Sequence, residues 1–210
     1  MAEMTVVHLV RHGEVANPDG VLYGRLPGFH LSEEGVLQAK AAAAFLAGRD
    51  VALLLSSPLE RALETAAPIA AQFGLEARVD ERLIEPWNHF EGARFDVGPA
   101  ALRQPAAWPH LANPFRPSWG EPYADIAARM HAVMADAASE VTGRQAVCVS
   151  HQLAIWVARK SAENRRLWHH PGNRQCALGS VTSFTYRDGV ITGVSYTEPA
   201  DRGPAQIPRA

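Results

Sequence analysis

The 210-residue sequence predicts an α/β domain, a three-layer sandwich with helices on both faces of a mostly parallel sheet. Three observations lead there. Short β-branched runs such as "TVVHLV", "VALLLSS" and "QAVCVS" are apolar throughout, as strands covered on both faces are. Longer stretches with helical periodicity separate them. Glycine and proline mark the joints.

The elements follow in order. Residues 5–10 form the first strand, and a loop punctuated by glycine and proline, "NPDGVLYGRLPGFH", comes next. Ser32 then N-caps a helix whose first turn carries Glu33 and Glu34, suited to the positive end of the helix dipole, and Gly48 marks its end. Residues 51–57 read as a second buried strand. Ser57 and Pro58 are expected as N-cap and first position of a helix that kinks near Pro68 and stops at Gly74. "LEARVD", residues 75–80, reads as a third strand. The segment of about 86–120 is rich in Pro, Trp and Arg and has little periodicity. A loop that long is expected to be a lid or specificity insertion. A helix over 121–143 buries Ile126, Met130, Val133 and Ala137 on one stripe, a strand spans 145–150, and "HQLAIWVARK" is helical. A hairpin turning at Asp188–Gly189 closes the domain, with a loose tail from 199 to 210. The whole chain, 1–210, reads as one domain.

Composition narrows the function. A net charge of -2, from 20 basic and 22 acidic residues, argues against a general nucleic-acid binder. Two cysteines, Cys148 and Cys176, are too few for a disulfide framework. The start of the chain lacks the pattern of a signal peptide, and no apolar stretch is long enough for a membrane helix. These features read as a cytoplasmic protein.

Ligands of open α/β sheets bind outside the carboxyl ends of the strands. At that edge the sequence delivers Arg11, His12 and Glu14 after the first strand, Ser56, Ser57 and Arg61 after the second, Glu85 after the third, and His151 after the fourth. The set suits a phosphate monoester. Arginines bind its oxygens bidentately, and nearby cations keep an imidazole unprotonated and nucleophilic. A second histidine can donate to the phosphate, and a carboxylic acid can protonate the leaving oxygen. Gly13 is expected to let the backbone approach the anion. Each residue taken alone has a plainer explanation. His151 could only cap a helix, Arg61 could pair with Glu60 or Glu64, and Glu85 could be a loop carboxylate. His8 reads as a satisfied core histidine. His169, His170 and Cys176 fit no common zinc spacing, so neither metal nor cofactor is expected.

"LVRHGEV", "SSPLERALETA" and "VSHQ" resemble the main blocks of the histidine phosphatase superfamily, the phosphoglycerate-mutase-like and acid-phosphatase-like enzymes. "YGRLPGFHLSEEGVLQA", "ERLIEPWNHFEG" and "WGEPYADIAARM" resemble further family segments. The resemblance implies the phosphoglycerate-mutase-like fold, with His12 as the phosphorylated nucleophile and Arg11, Arg61 and His151 around the phosphate. It implies Glu85 as the proton donor, and Asn17 and Arg25 as pocket residues. Gln152 stands where the family commonly has glycine and is expected to add a polar contact. The shortened loop after Glu85 leaves Glu14 and Glu91 as alternative acids.

The implied activity is metal-independent hydrolysis of a small phosphorylated molecule through a phosphohistidine. Phosphoglycerate-mutase-type transfer is the alternative, and an inactive phospho-ligand or phosphoprotein binder is the alternative of another class. Neither nucleic acid nor membrane is expected as a partner, and a homodimer is compatible with this reading.

Overall fold

The computed structural model describes residues 3–89, 91–92 and 120–201. Most of the expected 86–120 insertion lies outside them, with Arg94, Arg103, Trp108, Phe115, Arg116 and Trp119. So does most of the expected tail.

The described elements run β1 (Met4–Arg11), α1 (Glu33–Leu46), β2 (Val51–Ser56), α2 (Glu60–Phe73), β3 (Arg78–Val79) and a 3₁₀ turn (Glu81–Leu83). Then follow α3 (Tyr123–Glu140), β4 (Gln145–Ser150), α4 (Gln152–Ala162), a second 3₁₀ turn (Pro171–Asn173), β5 (Val181–Arg187) and β6 (Val190–Thr197). The sheet order is β3-β2-β4-β1-β5-β6. The first four strands in that order are mutually parallel, and the β5–β6 hairpin adds antiparallel to β1. The expected α/β sandwich is present, with a mixed sheet.

The period of two along each strand divides the core. Val7 and Leu9 of β1, Leu53 and Leu55 of β2, and Ala146 and Cys148 of β4 face α3 and α4, including Ile126, Met130 and Val133. Val10, Leu54, Val147 and Val149 face Ala42, Leu46, Ala62 and Ile69 of α1 and α2. His8 also lies inside the sheet, between Ser183 Oγ (2.7 Å from Nδ1) and Gln145 Oε1 (2.7 Å from Nε2). The amide oxygen can only accept, so Nε2 carries the proton and the ring is neutral.

Local signals explain the element ends. Ser32 caps α1 by accepting from Gly35 N–H. α2 stops at Gly74 in the left-handed conformation (φ 64°). The hairpin turns at Asp188 (φ 50°) and Gly189 (φ 76°), as a type I′ turn requires.

Two expectations needed correction. Residues 75–80 contribute only Arg78 and Val79 as strand, because β3 is an edge with β2 alone to pair with, and Asp80 turns away to cap the 3₁₀ turn. α2 starts at Glu60 with Leu59 as its cap, two residues later than Ser57–Pro58 implied; the Ser57 hydroxyl accepts from Leu59 N–H (3.4 Å) and also bonds the His151 ring (2.7 Å). The helix runs through Pro68 to Gly74, the extent expected of it.

Candidate active site

Register builds the site. Arg11 of β1 pairs with Ser150 of β4, and Ser56 of β2 pairs with Val149. The residues that follow these strand ends, His12, His151 and Ser57, therefore leave three adjacent strands side by side. Backbone bonds fix the exits: His12 N–H donates to Ser150 O (3.1 Å), and Ser57 N–H to Val149 O (2.9 Å).

His12 is 3% exposed. Its Nδ1 lies 2.8 Å from the Gly13 carbonyl. A carbonyl only accepts, so Nδ1 carries the proton and Nε2 keeps its lone pair. Burial, then the charges of Arg61 and Arg11, push the His12 pKa down to about 3. The ring is neutral at physiological pH.

His151 is completely buried and stands 5.1 Å from His12, centroid to centroid. Its Nε2 bonds Ser57 Oγ (2.7 Å), while Nδ1 faces Arg61 Nη2 (3.3 Å) and Glu85 Oε2 (3.7 Å). Arginine only donates, so Nδ1 accepts and Nε2 donates to Ser57. Burial, with the nearby His12 and arginines, lowers the His151 pKa well below its ordinary value. His151 is the N-cap residue of α4 but makes no side-chain cap bond, so capping does not explain it.

Arg61 is also completely buried. Glu60 accepts from Gly28 N–H, and Glu64 is bonded to His30 and Leu31, so neither neutralises it. Its Nη2 donates to Gly24 O (2.7 Å), and its guanidinium carbon lies 4.8 Å from the Tyr23 ring centre. Arg61 Nε and Nη1 have no protein partner among the described residues, and the same holds for Arg11 Nε. Buried cationic donors left unpaired are costly, and an oxyanion satisfies them. Arg11 is held from the other side by Cys176 O (2.6 Å).

Glu85 follows the 3₁₀ turn, which Ser150 anchors through Leu83 O (2.7 Å). Burial raises its pKa, against the opposing charges of Arg61, Arg174, Arg11 and Arg129. It lines a cavity of about 260 Å³ together with Arg11, His12, Tyr23, Trp87, Tyr123, Gln152 and Arg174. Asn88 and Gly120 form a β-bridge at this wall, so the chain leaves for the 90–119 segment and returns from it at the cavity.

The structure thus brings together Arg11, His12, Arg61, Glu85, His151 and Gln152. Two expected pocket residues are placed elsewhere. Asn17 closes its own loop by two bonds with Val21. Arg25 supports the acid loop, donating to Glu85 O (2.6 Å) and pairing with Glu121 (3.4 Å), and it is not in the cavity wall. The alternative acids are also outside that wall. Glu14 accepts from Ser32 Oγ at the start of α1, and Glu91 accepts from Asn88 N–H.

Gly13 also has a packing role. A Cβ there would lie 2.4 Å from Gly35 O, and a Cβ on Gly35 would lie 2.1 Å from Glu14 O. The two glycines let α1 press directly on the His12 loop.

Four residues escaped sequence reasoning. Thr65 accepts from Gly13 N–H (3.1 Å) and donates to Arg61 O (2.7 Å), tying α2 to the nucleophile loop. Its place one turn after Arg61 was the available signal. Ser57 was assigned to capping, and Tyr23 carried no signal. Arg174 sits in a short irregular connection with no periodicity to mark it.

The model for the histidine phosphatase superfamily (branch 1) matches residues 7–199. The chain therefore belongs to the histidine phosphatase superfamily, and it is a phosphoglycerate-mutase-like phosphatase. It is 54% identical over 200 residues to the uncharacterized protein Rv0525 of Mycobacterium tuberculosis, covering 95% of this chain and 99% of that one. It is 37% identical over 133 residues to the glucosyl-3-phosphoglycerate phosphatase of the same organism, or 61% of this chain and 58% of that one. The structure of a mycobacterial glucosyl-3-phosphoglycerate phosphatase complexed with VO3 superposes with TM-score 0.71 and 28% identity, over 87% and 96% of the two chains. A phosphoserine phosphatase of Entamoeba histolytica, in complex with 3-phosphoglyceric acid, shares the fold (TM-score 0.74, 23% identity, 93% and 99% covered).

Proposed function

We propose that the protein hydrolyses the phosphomonoester of a small molecule through a phosphohistidine on His12. The carrying observation is the His12 ring: Nδ1 is tied to the Gly13 carbonyl, which leaves the Nε2 lone pair free, and the charges of Arg61 and Arg11 keep the ring neutral. The unpaired donors of those arginines support a bound phosphoryl group at that position.

In the first step Nε2 attacks phosphorus. The N–P bond forms as the ester P–O bond breaks, and the departing oxygen takes a proton from Glu85, whose raised pKa favours the acid form needed. In the second step water attacks phosphorus, the Glu85 carboxylate takes its proton, and the N–P bond breaks to release inorganic phosphate and neutral His12. Arg11 and Arg61 hold the phosphoryl oxygens in both steps. His151 turns Nδ1 toward the reacting groups, and a bound dianion favours the proton it needs there to donate. Ser57 then accepts from Nε2 and keeps the ring oriented.

The phosphatase names of the relatives support a small phosphorylated substrate. The test is phosphate release from p-nitrophenyl phosphate and a panel of sugar phosphates and phosphoglycerates. His12→Ala is expected to abolish it while circular dichroism and melting remain those of a folded protein. Undiminished release by a folded His12→Ala protein overturns the reading.

A further inference from the structure

The hydrolytic site accounts for Arg11 and Arg61, but the cavity wall holds a further guanidinium beside Arg11. Arg174 lies in its wall, on the connection between the second 3₁₀ turn and β5. Its partners among the described residues are all neutral. Arg174 Nε donates to His169 Nε2 (2.9 Å), and Nη1 reaches Gln152 Oε1 (3.5 Å). The Tyr123 hydroxyl is close enough for the charge of Arg174 to act on it.

His169 is built to accept rather than to share charge. Its Nδ1 lies 2.7 Å from Leu167 O, so the proton sits on Nδ1 and Nε2 is the acceptor. A tilted contact with Tyr123 (5.4 Å) and an edge-on contact with Trp156 (6.0 Å) hold the ring. The other carboxylate in the wall, Glu121, is already taken by Arg129 (2.7 Å) and Arg25 (3.4 Å). Glu85 is the acid of the proposed reaction. A partly buried cation held only by neutral groups retains its full charge and seeks an anion.

We propose that Arg174, steadied by His169 and Gln152, binds a second anionic group of the substrate, so that the preferred substrates are small phosphomonoesters bearing a further carboxylate or phosphate. This rests on the hydrolytic reading above. Arg11 and Arg61 take the transferred phosphoryl group at the His12 end. Arg174 takes the second anion within the same cavity, whose roughly 260 Å³ suits a short carbon skeleton. Arg174 is a specificity residue under this proposal, and His169 is a positioning residue that acts through it.

The experiment compares paired substrates that differ only in the second anion. 3-Phosphoglycerate against glycerol 3-phosphate tests a carboxylate, and fructose 1,6-bisphosphate against fructose 6-phosphate tests a phosphate. The intact enzyme is expected to prefer the second-anion member of at least one pair, which identifies the anion. Arg174→Gln is expected to cut that preference about tenfold or more, mainly through KM, as the loss of a charged hydrogen bond does. His169→Phe keeps the ring and removes the acceptor, and it should cut the preference less. No preference in the intact enzyme, or an equal fall for both members of each pair in Arg174→Gln, overturns the proposal.

A separate binding measurement keeps the two readings apart. Calorimetric titration of the His12→Ala protein with 3-phosphoglycerate, glycerol 3-phosphate and the two fructose phosphates reports the second-anion preference without turnover. If that preference is present and depends on Arg174 while the intact enzyme hydrolyses nothing, the hydrolytic reading fails and the anion subsite stands.

Discussion

At the scale of single residues, the two histidines are distinguished by what holds their second nitrogen. A carbonyl fixes His12 as a free Nε2, and a serine fixes His151 with Nδ1 toward the site. Glu85 supplies what neither histidine can, a carboxylic acid whose protonated form is favoured because burial raises its pKa. The sign of the dependence follows. The acid form is lost as pH rises through the raised value, so kcat on alkyl phosphates should fall on that limb. Glu85→Gln should remove the limb and lower kcat on alkyl phosphates by roughly 10²–10⁴-fold. It should affect p-nitrophenyl phosphate much less, because that leaving group departs without a proton. A rate–pH series on both substrates decides it, and equal losses would place the acid elsewhere. The residues legible in the sequence were those with a strand end or helix start to mark them: Arg11, His12, Arg61 and His151. Arg174 and Tyr23 were not, since irregular backbone gives no periodicity from which to infer where a side chain points.

At the scale of elements, the site depends on how closely α1 and α2 approach the loop after β1. Gly13 and Gly35 make one contact, and Thr65 makes the other. Removing the Thr65 hydroxyl leaves the buried Gly13 N–H without its partner. Thr65→Val should therefore cost about 1–3 kcal/mol in urea unfolding. It should also lower kcat, since the same loop presents His12. A variant with unchanged stability and kcat would show that the tie is not used. Element identity was legible because the central parallel strands β1, β2 and β4 are largely apolar and the long helices carry a stripe. The boundaries that failed have specific causes. The Ser57–Pro58 pair has the form of a helix start, yet the Ser57 hydroxyl is occupied by His151 from ninety-four residues away. β3 stops after Val79 because Asp80 turns to cap the 3₁₀ turn.

At the scale of the whole molecule, the sheet is built around buried neutral histidines, and this gives it an acid liability. Burial lowers the His8 pKa to about 4. Its unfolded value is near 6.5. Below that value the unfolded chain binds a proton that the folded one refuses, so stability is full above about pH 6.5 and is lost as pH falls toward 4. His8 alone should contribute a loss of about 2 kcal/mol between pH 6.5 and 5. His12 and His151 act with the same sign. Urea midpoints across this range should fall steeply, and more shallowly in His8→Asn, whatever that variant's stability at neutral pH. Parallel curves would mean that His8 does not titrate on unfolding. The α/β architecture was legible at this scale because alternating apolar and periodic segments leave few topologies. The meeting of the two histidines needed the β1–β4 register, which no local pattern encodes.

The central claim is that phosphoryl transfer passes through His12, and trapping the intermediate tests it most directly. The protein is mixed with ³²P-labelled substrate, quenched in alkali within the first turnover, digested and mapped. The account predicts a label that survives alkali and is released by acid, confined to the peptide containing His12 and absent from His12→Ala. A fully active enzyme that carries no label on any quench timescale, or a label on another residue, would contradict it.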